Sequence, residues 1–419
     1  MTACHPLMTP PELLAPAGGM EQLSAALRFG ADAVYGGLER FGLRAAADNF
    51  TPQTLAQATA QAHRAGKRFY VTLNLLPRDQ DLEGMLQEAR VADQAGADAL
   101  IVSDIGAALM LREALPAMEL HISTQANVIN SRTALHLHQA TGARRIVLSR
   151  ELSLQEIRAM RDRLPQTLLL EAFVHGAMCV AYSGRCLLST EMTGRSANRG
   201  ACAQPCRWRY QVTEVSRPGQ ALPVEAQAGS TSIFSAYDLC MLPWLPQLLA
   251  AGVESLKIEG RMKTAYSVAT VVSAYRQALD TLCTHGEEAY RESVPHWMEE
   301  LAKASHRDSN TGFYFGTPEP AAGAAGPWQT MEFVGQVTRG AAAGEQAEVL
   351  LKNRFFVGDA LEALTPRGSL PFTVEGIALA DTGEAVQTAS VAGTRLWMRL
   401  PFAIETGDLL RGPNRNHQR

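Results

Sequence analysis

Four of the chain's seven cysteines fall in one short stretch, at Cys179, Cys186, Cys202 and Cys206, spaced Cys-x6-Cys-x15-Cys-x3-Cys. Their neighbours are Gly, Ser, Asn and Arg, a loop composition in which thiols without a partner are a liability. Three chemistries compete. Buried free cysteines are common in cores and suit Cys4, Cys283 and Cys240 better than this cluster. A structural zinc would take four thiolates tetrahedrally, yet only Cys202 and Cys206 are as close in sequence as a zinc knuckle requires. The wide spacing suits an iron–sulfur cluster wrapped by a long loop, with Gly176, Gly184, Gly194 and Gly200 letting backbone N–H groups approach the sulfurs. Cys240 is an alternative ligand. The same stretch carries Arg185, Arg195, Arg199, Arg207 and Arg209. They form either a solvated loop or a phosphate-contacting patch, with Trp208 and Tyr210 available to stack on bases.

A second constellation is "SLKIEGRMK", where Lys257, Glu259 and Arg261 alternate. Alternation puts all three on one face of a strand and its exit, where an unpaired charge is costly. Either they form an internal ion network, or Arg261 binds an anionic small molecule and Glu259 orients it. Arg44 and Asn49, in "FGLRAAADNF", are placed to share that role, Arg44 completing a two-arginine carboxylate clamp. His175 precedes Cys179 by four residues and is either structural or a base between the two constellations.

The elements that must position these groups are short apolar runs alternating with amphipathic helices. The runs begin at Glu12, Ala33, Arg68, Ala99, Leu120, Arg145, Leu168 and Ser255. Each reads as a fully buried strand, and Gly30, Gly66, Gly96 and Gly142 close the helices between them. Eight such units favour an α/β fold of the closed (β/α)8, TIM-like type, with catalytic groups at the C-terminal strand ends. Those ends carry Asn74, Gln125, Arg150 and His175 as well as Glu259 and Arg261. The expected organisation is a barrel over 1–284 with a Cys-rich insertion at 175–235. A linker over 285–329, with a helix near "WMEELAKAS", and a small all-β, barrel-like domain over 330–415 follow.

The chain has 419 residues, 46% hydrophobic, 19% charged, with a net charge of -4. A globally basic nucleic-acid binder is excluded; a local basic patch is not. The start has no basic n-region and no run is apolar enough for a bilayer, so a cytoplasmic protein with no membrane partner is expected. There, thiols stay reduced and clustered cysteines point to metal or redox chemistry. His-Glu-x-x-His and Gly-x-Ser-x-Gly are both absent.

"EAFVHGAMCVAYSGRCLLS", with "ELLAPAG", "GADAVYGG", "ISTQANVIN", "VLSRELSLQEI", "SLKIEGRMKTAY" and "NTGFYFG", resembles the collagenase-like peptidase family, the thirty-second of unknown catalytic type. Within it, "SGRCLLS" followed by "ANRGACAQPCRWRY" is most similar to the prephenate-dependent tRNA uridine hydroxylase branch. The resemblance implies oxygen-independent hydroxylation of the wobble uridine of tRNA to 5-hydroxyuridine. It implies a 4Fe-4S cluster on Cys179, Cys186, Cys202 and Cys206, with prephenate as co-substrate. Sister branches act on ribosomal RNA or on a ubiquinone precursor, the latter with a sister subunit and a fourth ligand further downstream, which keeps Cys240 open. On this reading the catalytic candidates are His175, Lys257, Glu259 and Arg261. The substrate-binding candidates are Arg44, Asn49, Asn74, Gln125, Arg150, Arg199 and Arg207.

Overall fold

The computed structural model describes residues 10–44, 47–208, 237–318 and 327–415. Arg209, Tyr210, Cys4 and the end of the expected insertion lie outside the described residues. The eight apolar runs are all strands. They are β1 (Glu12–Pro16), β2 (Ala33–Gly36), β3 (Arg68–Leu73), β4 (Ala99–Val102), β5 (Glu119–Ile122), β6 (Arg145–Val147), β7 (Leu169–Ala177) and, after a short β8 (Asp238–Cys240), β9 (Ser255–Ile258). Each of β1 to β6 pairs in parallel with the next, and β9 pairs in parallel with both β7 and β1, which closes the barrel. One face of every strand fills the interior and the other lies under helices, so the runs are apolar without alternation.

The helices are α1 (Met20–Arg28), α2 (Pro52–Arg64), α3 (Asp79–Gln94), α4 (Ile105–Ala114), α5 (Ser131–Thr141) and α6 (Leu154–Arg161). Side chains of Thr51, Asp104, Asn130 and Ser153 cap α2, α4, α5 and α6 by accepting from otherwise orphaned N–H groups. After the insertion, with its short α7 (Leu188–Thr193), come α8 (Leu245–Ala250) and α9 (Ala265–Ala302). The expected boundary at 284 falls inside α9. Beyond a bend at non-helical Gly286 the helix runs on to Ala302 and takes in most of the stretch where a helix is expected near "WMEELAKAS"; Tyr290, Trp297 and Leu301 extend its buried face. Strand β7 outruns the barrel and pairs antiparallel with β8, to which a two-residue β10 (Ser309–Asn310) adds.

The C-terminal region is an eight-stranded antiparallel sheet with a separate two-stranded ribbon around its own apolar core. It is fixed to α9 by charge as well as packing. Fully buried Arg411 donates to Glu300 at 2.5 Å and meets Glu362 at 2.8 Å, while Lys303 also reaches Glu362 at 2.9 Å.

Inside the barrel, Glu171 on β7 accepts from Lys257 at 2.7 Å and Arg145 at 2.8 Å, and Arg145 also meets Glu12. Burial opposes the Glu171 charge, but Lys257 and Arg145 outweigh it and draw the carboxyl down to about 2. A folded-state value below the unfolded one means that this stabilisation is complete above about pH 4.3 and is lost as pH falls towards 2. Glu171→Gln, which leaves buried cations short of an anion, should cost about 3–5 kcal/mol. The check is the urea unfolding midpoint at neutral pH; an unchanged midpoint would mean the network contributes nothing.

Candidate functional site

Strand β9 aims Lys257, Glu259 and Arg261 into one cavity at the C-terminal end of the barrel, about 860 Å³ including the space at its open mouth. Lys257 lies deepest, its Nζ 4.4 Å from the centre of the Tyr35 ring. Glu259 accepts from Arg44 at 3.2 Å and from the Ala177 N–H at 3.3 Å. Arg261 donates to the Leu43 carbonyl at 2.6 Å, to Thr72 Oγ1 at 3.1 Å and to Asn49 Oδ1. All three acceptors are neutral, and Arg261 Nε is buried without a hydrogen-bond partner. Gly37 makes room for it, since a Cβ there would come within 2.6 Å of the guanidinium. Burial pulls Arg261 down to about 10, which leaves it charged at neutral pH. A buried cation held by dipoles alone is a ready anion site.

Asn74, Gln125, Arg150 and Arg44 also line this cavity. Asn74 accepts from the Leu43 N–H at 3.0 Å, and Arg150 lies 4.9 Å from the centre of the Phe173 ring. Asn49 does not line the cavity. It holds Arg261 through Oδ1 and the loop through Ala47, so it positions the guanidinium rather than touching a ligand.

Cys179, Cys186 and Cys202 form part of the wall of the same cavity. Cys206 is buried close by. Burial raises its pKa, and Cys179, Cys202 and Cys186 raise it further against the pull of Arg207. A thiol placed among others in this way is favoured as a thiolate only beside a cation. They do not converge on one point. Among the described residues no three His, Cys, Asp or Glu side chains are near enough to share a single metal ion. A lone tetrahedral zinc, with sulfurs about 4 Å apart, is thus not preformed; a cluster is wider and takes its thiolates from further apart. Four thiols on one insertion, three of them on the cavity wall, are the type of donor that such a cluster takes. Cys240, the alternative ligand, lies in the core on β8, its sulfur 4.0 Å from the Tyr275 hydroxyl and 3.9 Å from the Met298 sulfur.

The insertion is pinned to the barrel. Asn198 Oδ1 accepts from the Cys186 N–H at 3.0 Å, and its carbonyl accepts from the Leu76 N–H at 3.2 Å. Arg199 grips Asp81 of α3 with bonds of 2.7 and 3.1 Å, and that grip draws Asp81 down to about 2. Arg199, expected to bind substrate, is therefore a tether. Arg207 donates to the Met178 carbonyl at 3.4 Å and is not part of the cavity wall.

His175 is corrected more sharply. The β7–β9 register shifts between Phe173 and His175, and this bulge breaks the alternation that would have aimed His175 at the mouth. Its ring stands edge-on to Tyr275 and faces a second, smaller cavity with Asp238, Lys263 and His306. Burial lowers it to about 4, so it is neutral. Gly176, at φ 105°, allows this close approach, because a Cβ would lie 2.5 Å from the Glu259 carbonyl.

Backbone strain gathers at the same end. Among the described residues the non-glycine positions with positive φ are Phe41, Arg44, Asn49, Asn127, Ser183 and Gln204. All lie on loops that follow barrel strands or in the insertion. Such conformations persist only where the surroundings impose them, and they mark functional sites.

The family model described as Peptidase family U32 matches residues 18–323, and that of the Peptidase family U32 C-terminal domain matches 329–411. The chain belongs to family U32. Among its relatives, "tRNA hydroxylation protein P1" of Bacillus subtilis is 38% identical over 85% of this chain and 84% of its own. "tRNA hydroxylation protein P" of Escherichia coli is 35% identical over 95% of both chains. "Collagenase" of Porphyromonas gingivalis is 35% identical over 73% of both.

Sequence reading missed two residues that hold this U32 site together, Asp81 and Asn198. Asp81 sits in the first turn of α3 and reads simply as a helix-dipole residue. Only the fold shows that it faces Arg199. Asp81→Asn should free the insertion and speed chymotrypsin cleavage between Cys179 and Trp208 several-fold at neutral pH. Cleavage at the wild-type rate would show that the tether is dispensable.

Proposed function

We propose that this U32 protein hydroxylates a uridine of tRNA, without O2, using an iron–sulfur cluster and an anionic co-substrate. The observation that carries the reading is the shared cavity, where the carboxylate-free Arg261 faces the same space as Cys179, Cys186 and Cys202. The relatives named for tRNA hydroxylation match this chain along nearly its whole length. A 4Fe-4S cluster held by Cys179, Cys186, Cys202 and Cys206 would supply one-electron chemistry beside the bound metabolite.

The chain's own residues do the rest. Arg261, with Arg44 above it, binds the carboxylate of a small anion, for which prephenate is the candidate. Glu259 holds Arg44 in place, and Lys257 with Tyr35 forms the floor. Phe173 supplies an apolar wall that sheds water. The target base must leave its stack to reach these groups, as in other enzymes that act on a base. The product is 5-hydroxyuridine, and the wobble position follows the family branch. A protease reading would pair Cys179 with His175 as its base. His175 faces the other cavity, so that pairing has no geometry here.

No helix among the described residues is long and apolar enough to cross a membrane. The reading puts the protein with tRNA in the cytoplasm, with a sister subunit as a further candidate partner.

The test is anaerobic purification with an absorption spectrum and iron and sulfide assays, joined to mass spectrometry of tRNA nucleosides from a deletion strain. The wild type should be brown and restore hydroxyuridine; Cys202→Ala should lose the visible band and the product. A fully active, iron-free Cys202→Ala protein would overturn the mechanism. Arg261→Gln should keep its iron yet weaken prephenate binding at least tenfold by calorimetry; unchanged binding would take the anion away from Arg261.

A further inference from the structure

Tyr182 is an exposed aromatic ring on a turn with almost no freedom. Its side chain belongs to an apolar run at the rim, with accessibilities of 45% at Val180, 49% at Tyr182 and 68% at Leu187. The next residue, Ser183, is buried and left-handed, at φ 42° and ψ 36°. Its N–H and its hydroxyl both donate to the Glu151 carboxylate, and its oxygen accepts from the Arg150 N–H at 3.3 Å. The Tyr182 carbonyl accepts from Asn127 Nδ2 at 3.4 Å and from the Arg185 N–H at 3.0 Å. Asn127 is itself left-handed, at φ 57°, and Arg185 Nε reaches back to the Gln125 carbonyl at 2.7 Å. Gly184, Gln125 and Arg150 behind this turn are wall residues of the mouth cavity.

Two left-handed residues and the half-buried Glu151 carboxylate therefore fix the backbone that carries one solvent-exposed ring. A surface ring gains no stability from such fixing. It gains pre-organisation for a ligand, since an aromatic side chain already in place loses little freedom on contact. Both signs of charge surround it: the Glu151 carboxylate accepts from Ser183 and that of Glu156 from Ser153, each remaining an anion, while the exposed Arg185 is the cation on the turn itself.

We propose that Tyr182 stacks on a base of the RNA substrate at the rim of the cavity, with Arg185 beside the adjoining phosphate. This rests on the tRNA reading above and adds the residue that holds the base. Stacking needs the ring and not the hydroxyl, so Phe should replace Tyr and Ala should not.

The experiment uses the anaerobically purified full chain and a tRNA transcript containing 5-iodouridine. Long-wavelength irradiation and peptide mass spectrometry should place a crosslink on Tyr182. By fluorescence anisotropy, Tyr182→Ala should bind tRNA about 5- to 100-fold more weakly and Tyr182→Phe within about twofold of wild type. Both variants should keep the wild-type thermal midpoint and iron content. Tyr182→Ala binding as tightly as wild type, with crosslinks elsewhere on the protein, overturns the assignment and leaves the tRNA reading intact. A wild-type protein that binds no tRNA overturns both.

Discussion

Strand β9 reaches its place between β7 and β1 only after the chain has left the barrel at Ala177 and returned at Ser255. Closure of the barrel is therefore what holds both ends of the cysteine-bearing excursion. It is also what puts Lys257, Glu259 and Arg261 in the mouth, since these residues are β9 and its exit. The ion network beneath them, Glu171 with Lys257 and Arg145 with Glu12, ties β9 to β7, β6 and β1 from within. Closure, anion site and cysteine wall are one mechanical unit.

That unit separates two kinds of arginine. Arg145 and Arg411 are buried against carboxylates, and Arg199 is gripped by Asp81; their charge is neutralised by the protein. Arg261 is equally buried, but its hydrogen bonds among the described residues go to carbonyl, hydroxyl and amide oxygens. Desolvating a guanidinium without an anion serves no structural purpose that neighbouring residues could not serve more cheaply. The asymmetry separates the ligand-facing group from the structural ones.

Much of this was legible in the amino-acid sequence, because strands buried on both faces are written as unbroken apolar runs. All eight runs became barrel strands, and three of the alternating charges of "SLKIEGRMK", Lys257, Glu259 and Arg261, do share a cavity. The failures have local causes. His175 follows a bulge, and a bulge leaves no mark in the alternation of residue types. Arg199 looked like a free cation because its partner, Asp81, is remote in sequence. The boundary at 284 lies beside the bend at Gly286, and the buried face that carries on to Leu301 comes from residues that the tertiary packing, not the local pattern, selects. Glu151 gave no signal of its role, since a carboxylate at a strand end looks the same whether it meets a ligand or clamps a turn.

The left-handed residues around the mouth have one more consequence. Glycine would occupy each of those backbone positions without steric cost. At Arg44, Asn49 and Ser183 it would also remove the partner of Glu259, the cradle of Arg261 or the clamp to Glu151. On this face a more relaxed backbone and an emptier site are the outcome of the same substitution. A search for a sturdier version of the protein would erode its chemistry first, while the barrel beneath stayed sound.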